Sequence, residues 1–188
     1  MGRSISCSLS SSLIFLLPYI FLFSVNLFGT NLRANHDTNE LIQKVCDFSN
    51  VQEFCYKIFE NDPRTQWATT KFNLEDITIQ LVYSNYTKIA RKVLTITSYE
   101  TNSEFRRIYR SCLHHYILLR SDLENLVHAL RFQGDLDQAA QNASSHILAC
   151  MNYFTQYSNI PNPFAHDNTN LVYFFELIRN IYLTPLQS

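Results

Sequence analysis

The chain has 188 residues, 46% of them hydrophobic and only 16% charged, with a formal net charge of −1. Such a composition can bury a sizeable core and is not that of a disordered segment; it also offers no basic footprint for nucleic acid. The only glycines are Gly2, Gly29 and Gly134, which argues against sandwiches, barrels and nucleotide-binding loops, all of which need glycine at tight turns or beside phosphate.

No charged residue lies between Arg3 and Arg33. Arg3 forms a short positive start, Leu13 to Phe23 is an apolar run interrupted by Pro18, and small or polar residues follow. This is the layout of a secretory signal peptide over residues 1–30, with cleavage expected between Ser24 and Ala34. The apolar run is too short for the roughly 20 residues of a membrane-spanning helix. The mature chain is expected to be extracellular, without membrane attachment, and to fold in an oxidising compartment. Cys7 leaves with the signal peptide, and Cys46, Cys55, Cys112 and Cys150 stay. Four cysteines permit three connectivities, of which local pairing in chain order is the simplest. No CxxC or HxxxH pairing accompanies them, so no zinc site is expected.

Helix signals dominate from residue 37. Asp37 with Glu40 resembles a capping box ahead of Leu41, Ile42, Val45 and Cys46. Asn50 with Glu53 marks a second short helix carrying Phe54, Cys55, Ile58 and Phe59. A Cys46–Cys55 bond cannot form within one straight helix at about 1.5 Å rise per residue. Such a bond requires the chain to turn near Phe48-Ser49-Asn50, making residues 37–61 a stapled helical hairpin. Asp62-Pro63 reads as the start of the first long helix, with the proline at its first position. Ile79, Val82, Tyr86, Ile89, Val93 and Ile96 step by threes and fours, an amphipathic helical pattern. Thr101 with Glu104 marks the next helix start, and Phe105, Ile108, Cys112, Tyr116, Leu119, Leu123, Leu126 and Leu130 hold the spacing. Gly134 suits the C′ position. Asp135 with Gln138 opens a third long helix, with Leu136, Ala139, Ala143, Ile147, Cys150, Phe154 and Tyr157 inward. Asp167 or Asn168 opens a fourth, with Leu171, Phe174, Ile178 and Ile181 inward. Short connections make successive helices antiparallel neighbours. The expected fold is all-α: an up-down-up-down four-helix bundle over 62–184, preceded by the short disulfide-stapled helical hairpin.

No GxSxG, phosphate loop or HExxH is present, so no catalytic residue, metal or cofactor is expected. His114 and His115 point in two directions on a helix, and His128 and His146 stand alone in the sequence. Glu75-Asp76 reads as a solvated pair, and no carboxylate is expected in an apolar setting. Lys88, Arg91, Lys92, Arg106, Arg107 and Arg110 read as charged outer faces. Asn85-Tyr86-Thr87 and Asn142-Ala143-Ser144 are glycosylation sequons, making Asn85 and Asn142 candidate acceptors.

Along residues 37–184 an ordered set of residues resembles the plant invertase and pectin methylesterase inhibitor family. It comprises Leu41-Ile42 before Cys46, then Cys55, Asp62-Pro63-Arg64-Thr65, and Cys112 with Tyr116 four residues on. Gly134-Asp135 follows, and then Cys150 with Phe154 four residues on. The resemblance implies a hairpin plus four-helix bundle with Cys46–Cys55 and Cys112–Cys150 paired. It also implies a secreted, non-catalytic inhibitor of a cell-wall carbohydrate-active enzyme, bound stoichiometrically over the enzyme's cleft, with no small-molecule substrate of its own.

Pectin methylesterase inhibitors of the family carry acidic residues two and six positions after the first of the bundle cysteines, and threonine just before the second. Here those positions are His114, Leu118 and Ala149, which become the candidate interface residues. Cell-wall invertase inhibitors often carry Pro-Lys-Phe after the Gly-Asp turn, where this chain has Leu136-Asp137-Gln138. The stretch from Asp135 to Cys150 is about one helical turn shorter than is usual in the family. Of the two targets, pectin methylesterase is the one expected, with invertase the alternative. A secreted helical signalling ligand is a distant third, because such bundles need long crossover connections.

Overall fold

The structure is a computed structural model that describes residues 38–185; the expected signal peptide, its cleavage region, Cys7 and Asp37 lie outside the described residues. Six α-helices follow one another: α1 over 38–48, α2 Gln52–Asn61, α3 Lys71–Tyr99, α4 Ser103–Arg131, α5 Leu136–Gln156 and α6 Ala165–Leu183. A 3-10 turn, Pro63–Trp67, joins α2 to α3. No strand occurs among the described residues.

Helices α3 to α6 pack in a closed ring, each against its predecessor and α6 back against α3. This is the up-down-up-down bundle that short connections dictate. The apolar stripe of α4 is buried from Ile108 through Cys112, Tyr116, Leu119, Leu123 and Leu126 to Leu130. It meets Val82, Ile89 and Val93 of α3, Ala140, Ala143 and Ile147 of α5, and Leu171, Phe174 and Ile178 of α6 in one cluster. Tyr86 and Ile96 are half-buried at its edge. One polar pair stands inside it. Tyr116 Oη donates to Asn168 Oδ1 at 2.5 Å, and burial pushes the Tyr116 hydroxyl far up from its ordinary value.

The hairpin has a smaller core of its own. Leu41, Val45, Cys46, Cys55 and Phe59 close on Leu74 and Ile77 of α3 and Leu177 and Ile181 of α6. Helix α6 is thus apolar on two sides because it separates two cores. Cys46 and Cys55 are bonded with Cα atoms 5.4 Å apart, and Cys112 and Cys150 with Cα atoms 4.7 Å apart.

The helix boundaries differ from several sequence expectations. Asp62 caps with its side chain, accepting from Arg64 N at 3.0 Å, but it opens the 3-10 turn rather than α3. Helix α3 starts later, under a capping box made by Thr70 and Asn73. Asn50 does not cap α2; its Oδ1 accepts from Asn180 Nδ2 of α6 at 2.8 Å. Asn102, not Thr101, caps α4, its Oδ1 accepting from Glu104 N and Phe105 N. Asp135 caps α5 through Gln138 N, but the Gln138 side chain turns to Asn142 instead of closing the box. Helix α6 begins at Ala165, so Asp167 and Asn168 lie inside it. Asp167 pairs with Lys92 at 2.7 Å and Asn168 serves Tyr116. For Asn50, Asp167 and Asn168 a short polar side chain found a partner on another helix that competed with the local cap.

At the end of α4 the left-handed residue is Gln133, with φ 53°, and not Gly134. Gly134 is one position further on, where its N–H donates to Ala129 O at 2.8 Å, the longer bond of a Schellman turn. A Cβ at Gly134 would stand 3.2 Å from Ala129 Cα. Close approach, not positive φ, is what favours glycine there.

Candidate binding surfaces

The Cys112–Cys150 bond crosslinks antiparallel α4 and α5 and fixes their register. His114 stands two residues past the crossing on α4, and Ala149 one residue before it on α5. His114 is exposed and lines a shallow groove with Arg107, Arg110, Ser111 and Tyr153. Leu118, one turn on, is 39% exposed, and Ala149 is half-buried. The groove is cationic, with the Arg107 guanidinium lying over the Tyr157 ring at 5.1 Å. Helix α5 brings no charge to it, having none after Asp137 apart from the titratable His146.

Behind this face lies an arrangement that the sequence reading did not foresee. His146 is not alone: its Nδ1 is 3.3 Å from His115 Nδ1, and its Nε2 is 3.0 Å from Asp122 Oδ2. Burial, then the neighbouring His146 and His114, hold His115 below the ordinary imidazole value. The signal was available: His115 is three residues past Cys112, and His146 four before Cys150, so the crosslinked register brings them together. Among the described residues no group of three or more His, Cys, Asp or Glu is placed to hold a metal.

The Asp62-Pro63-Arg64-Thr65 motif is a joint. Asp62 holds the Arg64 guanidinium, Nε to Oδ1 at 2.9 Å, and this lowers the Asp62 carboxyl from its ordinary value. Thr65 Oγ1 donates toward Phe59 O and Asp62 O, both at 2.6 Å. The motif thereby fixes the angle between hairpin and bundle and presents no reactive group.

The opposite end of the bundle overturns the expectation for Glu75. This residue is 6% exposed, and burial raises its carboxyl above the ordinary value. It lines a groove with Lys71, Phe72, Gln133, Gly134, Leu136 and Tyr182. Position 75 lies four residues before Ile79 and extends the buried stripe of α3, which is the signal that marks it as an inward carboxylate. Nearby, Leu136 is buried and Asp137 is tied to Arg179 Nε at 2.6 Å, with Glu176 holding the same guanidinium. The sequons differ in environment. Asn85 is half-buried and donates to Leu81 O at 2.8 Å, whereas Asn142 is exposed on α5.

Two disulfides across a helical bundle with grooves open on its surface define a rigid scaffold suited to binding. Comparison with known proteins gives the family. A family profile described as plant invertase/pectin methylesterase inhibitor matches residues 40–181, and the chain belongs to that family, whose members are inhibitors, not enzymes. The chain is 29% identical over 153 residues to the "Cell wall / vacuolar inhibitor of fructosidase 2" of Arabidopsis thaliana, covering 81% of this chain and 80% of that one. A crystal structure of a mutant form of a pectin methylesterase inhibitor from Arabidopsis superposes with a TM-score of 0.66. It covers 78% of this chain and 98% of its own at 16% identity, a likeness of fold.

Proposed function

We propose that this chain inhibits a secreted β-fructosidase, an acid invertase, by stoichiometric binding over the enzyme's cleft. The observation that carries this reading is the 29% identity, across four-fifths of both chains, to an inhibitor named for fructosidase. The name of that relative favours invertase, whereas the sequence expectation put pectin methylesterase first. The non-acidic residues His114, Leu118 and Ala149 also favour invertase, because they replace the positions that the resemblance associates with pectin methylesterase. The residues also support export to the cell wall, through the apolar run 13–23 behind Arg3 and through two disulfides that need an oxidising compartment. Pectin methylesterase is the second reading. It is favoured by the start of α5, where Leu136 is buried and Asp137 is engaged with Arg179 in place of an exposed lysine and aromatic ring.

Titrating the mature protein against a purified acid invertase and a purified pectin methylesterase, side by side, tests the reading. Loss of invertase activity with an endpoint near one inhibitor per enzyme supports it. Inhibition of pectin methylesterase alone reverses the order, and inhibition of neither refutes it.

A further inference from the structure

Three half-buried titratable groups meet on the seam between α4 and α5. His115 and Asp122 lie on one face of α4, two turns apart, and His146 of α5 touches both. We propose that these three side chains form a proton-operated clasp between the helices, which takes up one proton with its bonds intact and opens on the second.

The geometry carries the proposal. Asp122 Oδ2 is 3.0 Å from His146 Nε2, and a carboxylate only accepts, so Nε2 holds a proton. In the neutral imidazole His146 Nδ1 is then a bare acceptor, and His115 Nδ1 donates to it across 3.3 Å. The ring centroids are 5.6 Å apart, which is the nitrogen separation plus a ring radius at each end. The two nitrogens therefore meet head-on, with room for one hydrogen between them and not for two.

A first added proton binds His115 Nε2. The proton on His115 Nδ1 passes to His146 Nδ1, and the bond persists with its direction reversed. The positive charge then rests on His146 beside the Asp122 carboxylate, which stabilises it. A second proton has only His115 Nδ1 left to bind. Two N–H groups and two positive charges would then face each other, so the rings part.

The other titratable groups against the pair, among the described residues, are His114 of α4 and Tyr153 of α5, with ring centroids 6.0 Å and 5.8 Å from that of His115. His114 adds positive charge in acid and opposes the second proton, whereas Tyr153 stays neutral throughout. Burial, then His146 and His114, hold His115 below the ordinary imidazole value, in keeping with a late second step. The adjacent Cys112–Cys150 bond keeps the helices joined, so opening is confined to the side chains of the seam. Tyr153 and His114 also line the cationic groove, whose wall the acid state alters.

Histidine ring resonances of the full mature protein, followed by NMR from about pH 8 to about pH 4, test the clasp. Wild type is expected to show His115 and His146 titrating in two steps shared by both rings and at least about one unit apart. The nuclear Overhauser contact between the rings should be lost across the lower step. His146→Gln should leave His115 with a single step, about one unit above the lower wild-type step. Asp122→Asn should move the upper step down, and His114→Gln should keep both steps. Independent single titrations of the two rings in wild type overturn the proposal. So does a ring contact that survives to about pH 4, or a His115 titration that His146→Gln leaves unchanged. The wild-type titration decides the matter even where a variant fails to fold.

Discussion

Glu75 occupies a core register position of α3, where burial outweighs the nearby charge of Lys71. Its folded carboxyl titrates above the ordinary value of 4.5 because burial disfavours the charged form. The folded state therefore holds the proton more tightly than the unfolded chain does. The resulting stabilisation is fully present below that ordinary value and is lost as pH rises through the folded one. Glu75→Gln should accordingly raise the melting temperature at pH 7 and change it little at pH 4. An equal effect at both pH values would show that the carboxyl is hydrated. His115 acts with the opposite sign. Its lowered value means stability present above the ordinary imidazole range and lost as pH falls through the folded value, so the single substitution at Glu75 is needed to separate the two. Gln133 offers a second test at this scale. A non-glycine residue in the left-handed region is strained by about 1 kcal/mol. Gln133→Gly should relieve that strain and raise stability by about that amount in denaturant titrations, while Gly134→Ala should lower it because of the contact with Ala129 Cα.

The helices themselves follow from a period that one face of each must satisfy. Leu123 lies at the middle of the α4 stripe and is fully buried, whereas Arg110 is exposed on the groove side. Leu123→Ala should cost about 2–5 kcal/mol, and Arg110→Ala under about 0.5 kcal/mol; equal losses in thermal melts would contradict the register. The stripes of α3 to α6 were legible because long-range apolar packing repeats every three or four residues and tolerates local exceptions. Their ends were less so. A cap is decided by one side chain, and Asn50, Asp167 and Asn168 each had a stronger partner on another helix, invisible until the helices pack. The same limit applies to the site. His114, Leu118 and Ala149 could be named from spacing, and the His115–His146 contact was implicit in the disulfide register. The Glu75 groove needed the ends of four helices to converge. Its one local sign, a glutamate in step with Ile79 and Val82, was outweighed by the adjacent Asp76, which makes the pair look solvated. At the same scale, the exposed Asn142 is expected to carry glycan and the half-buried Asn85 to stay bare, which peptide mapping of protein from a plant host would check.

As a whole, the molecule is two cores of unequal size sharing α3 and α6, each with one disulfide across it. In the chain-entropy account the Cys46–Cys55 bond stabilises by about 3 kcal/mol and Cys112–Cys150 by about 4 kcal/mol. The hairpin core is the smaller, so reduction should release α1 and α2 before the bundle. Hydrogen exchange after reduction should show their amides losing protection first; simultaneous loss across all six helices would mean that the hairpin and bundle fold as one unit. This architecture gives an inhibitor whose binding surfaces exist before the partner arrives. The central claim is that the partner is a fructosidase. Calorimetric titration of the mature protein into a purified acid invertase, with a pectin methylesterase run in parallel, tests this most directly. The account predicts a saturating isotherm near one-to-one with invertase and none with pectin methylesterase. A saturating isotherm with pectin methylesterase alone, or with neither enzyme, would contradict it.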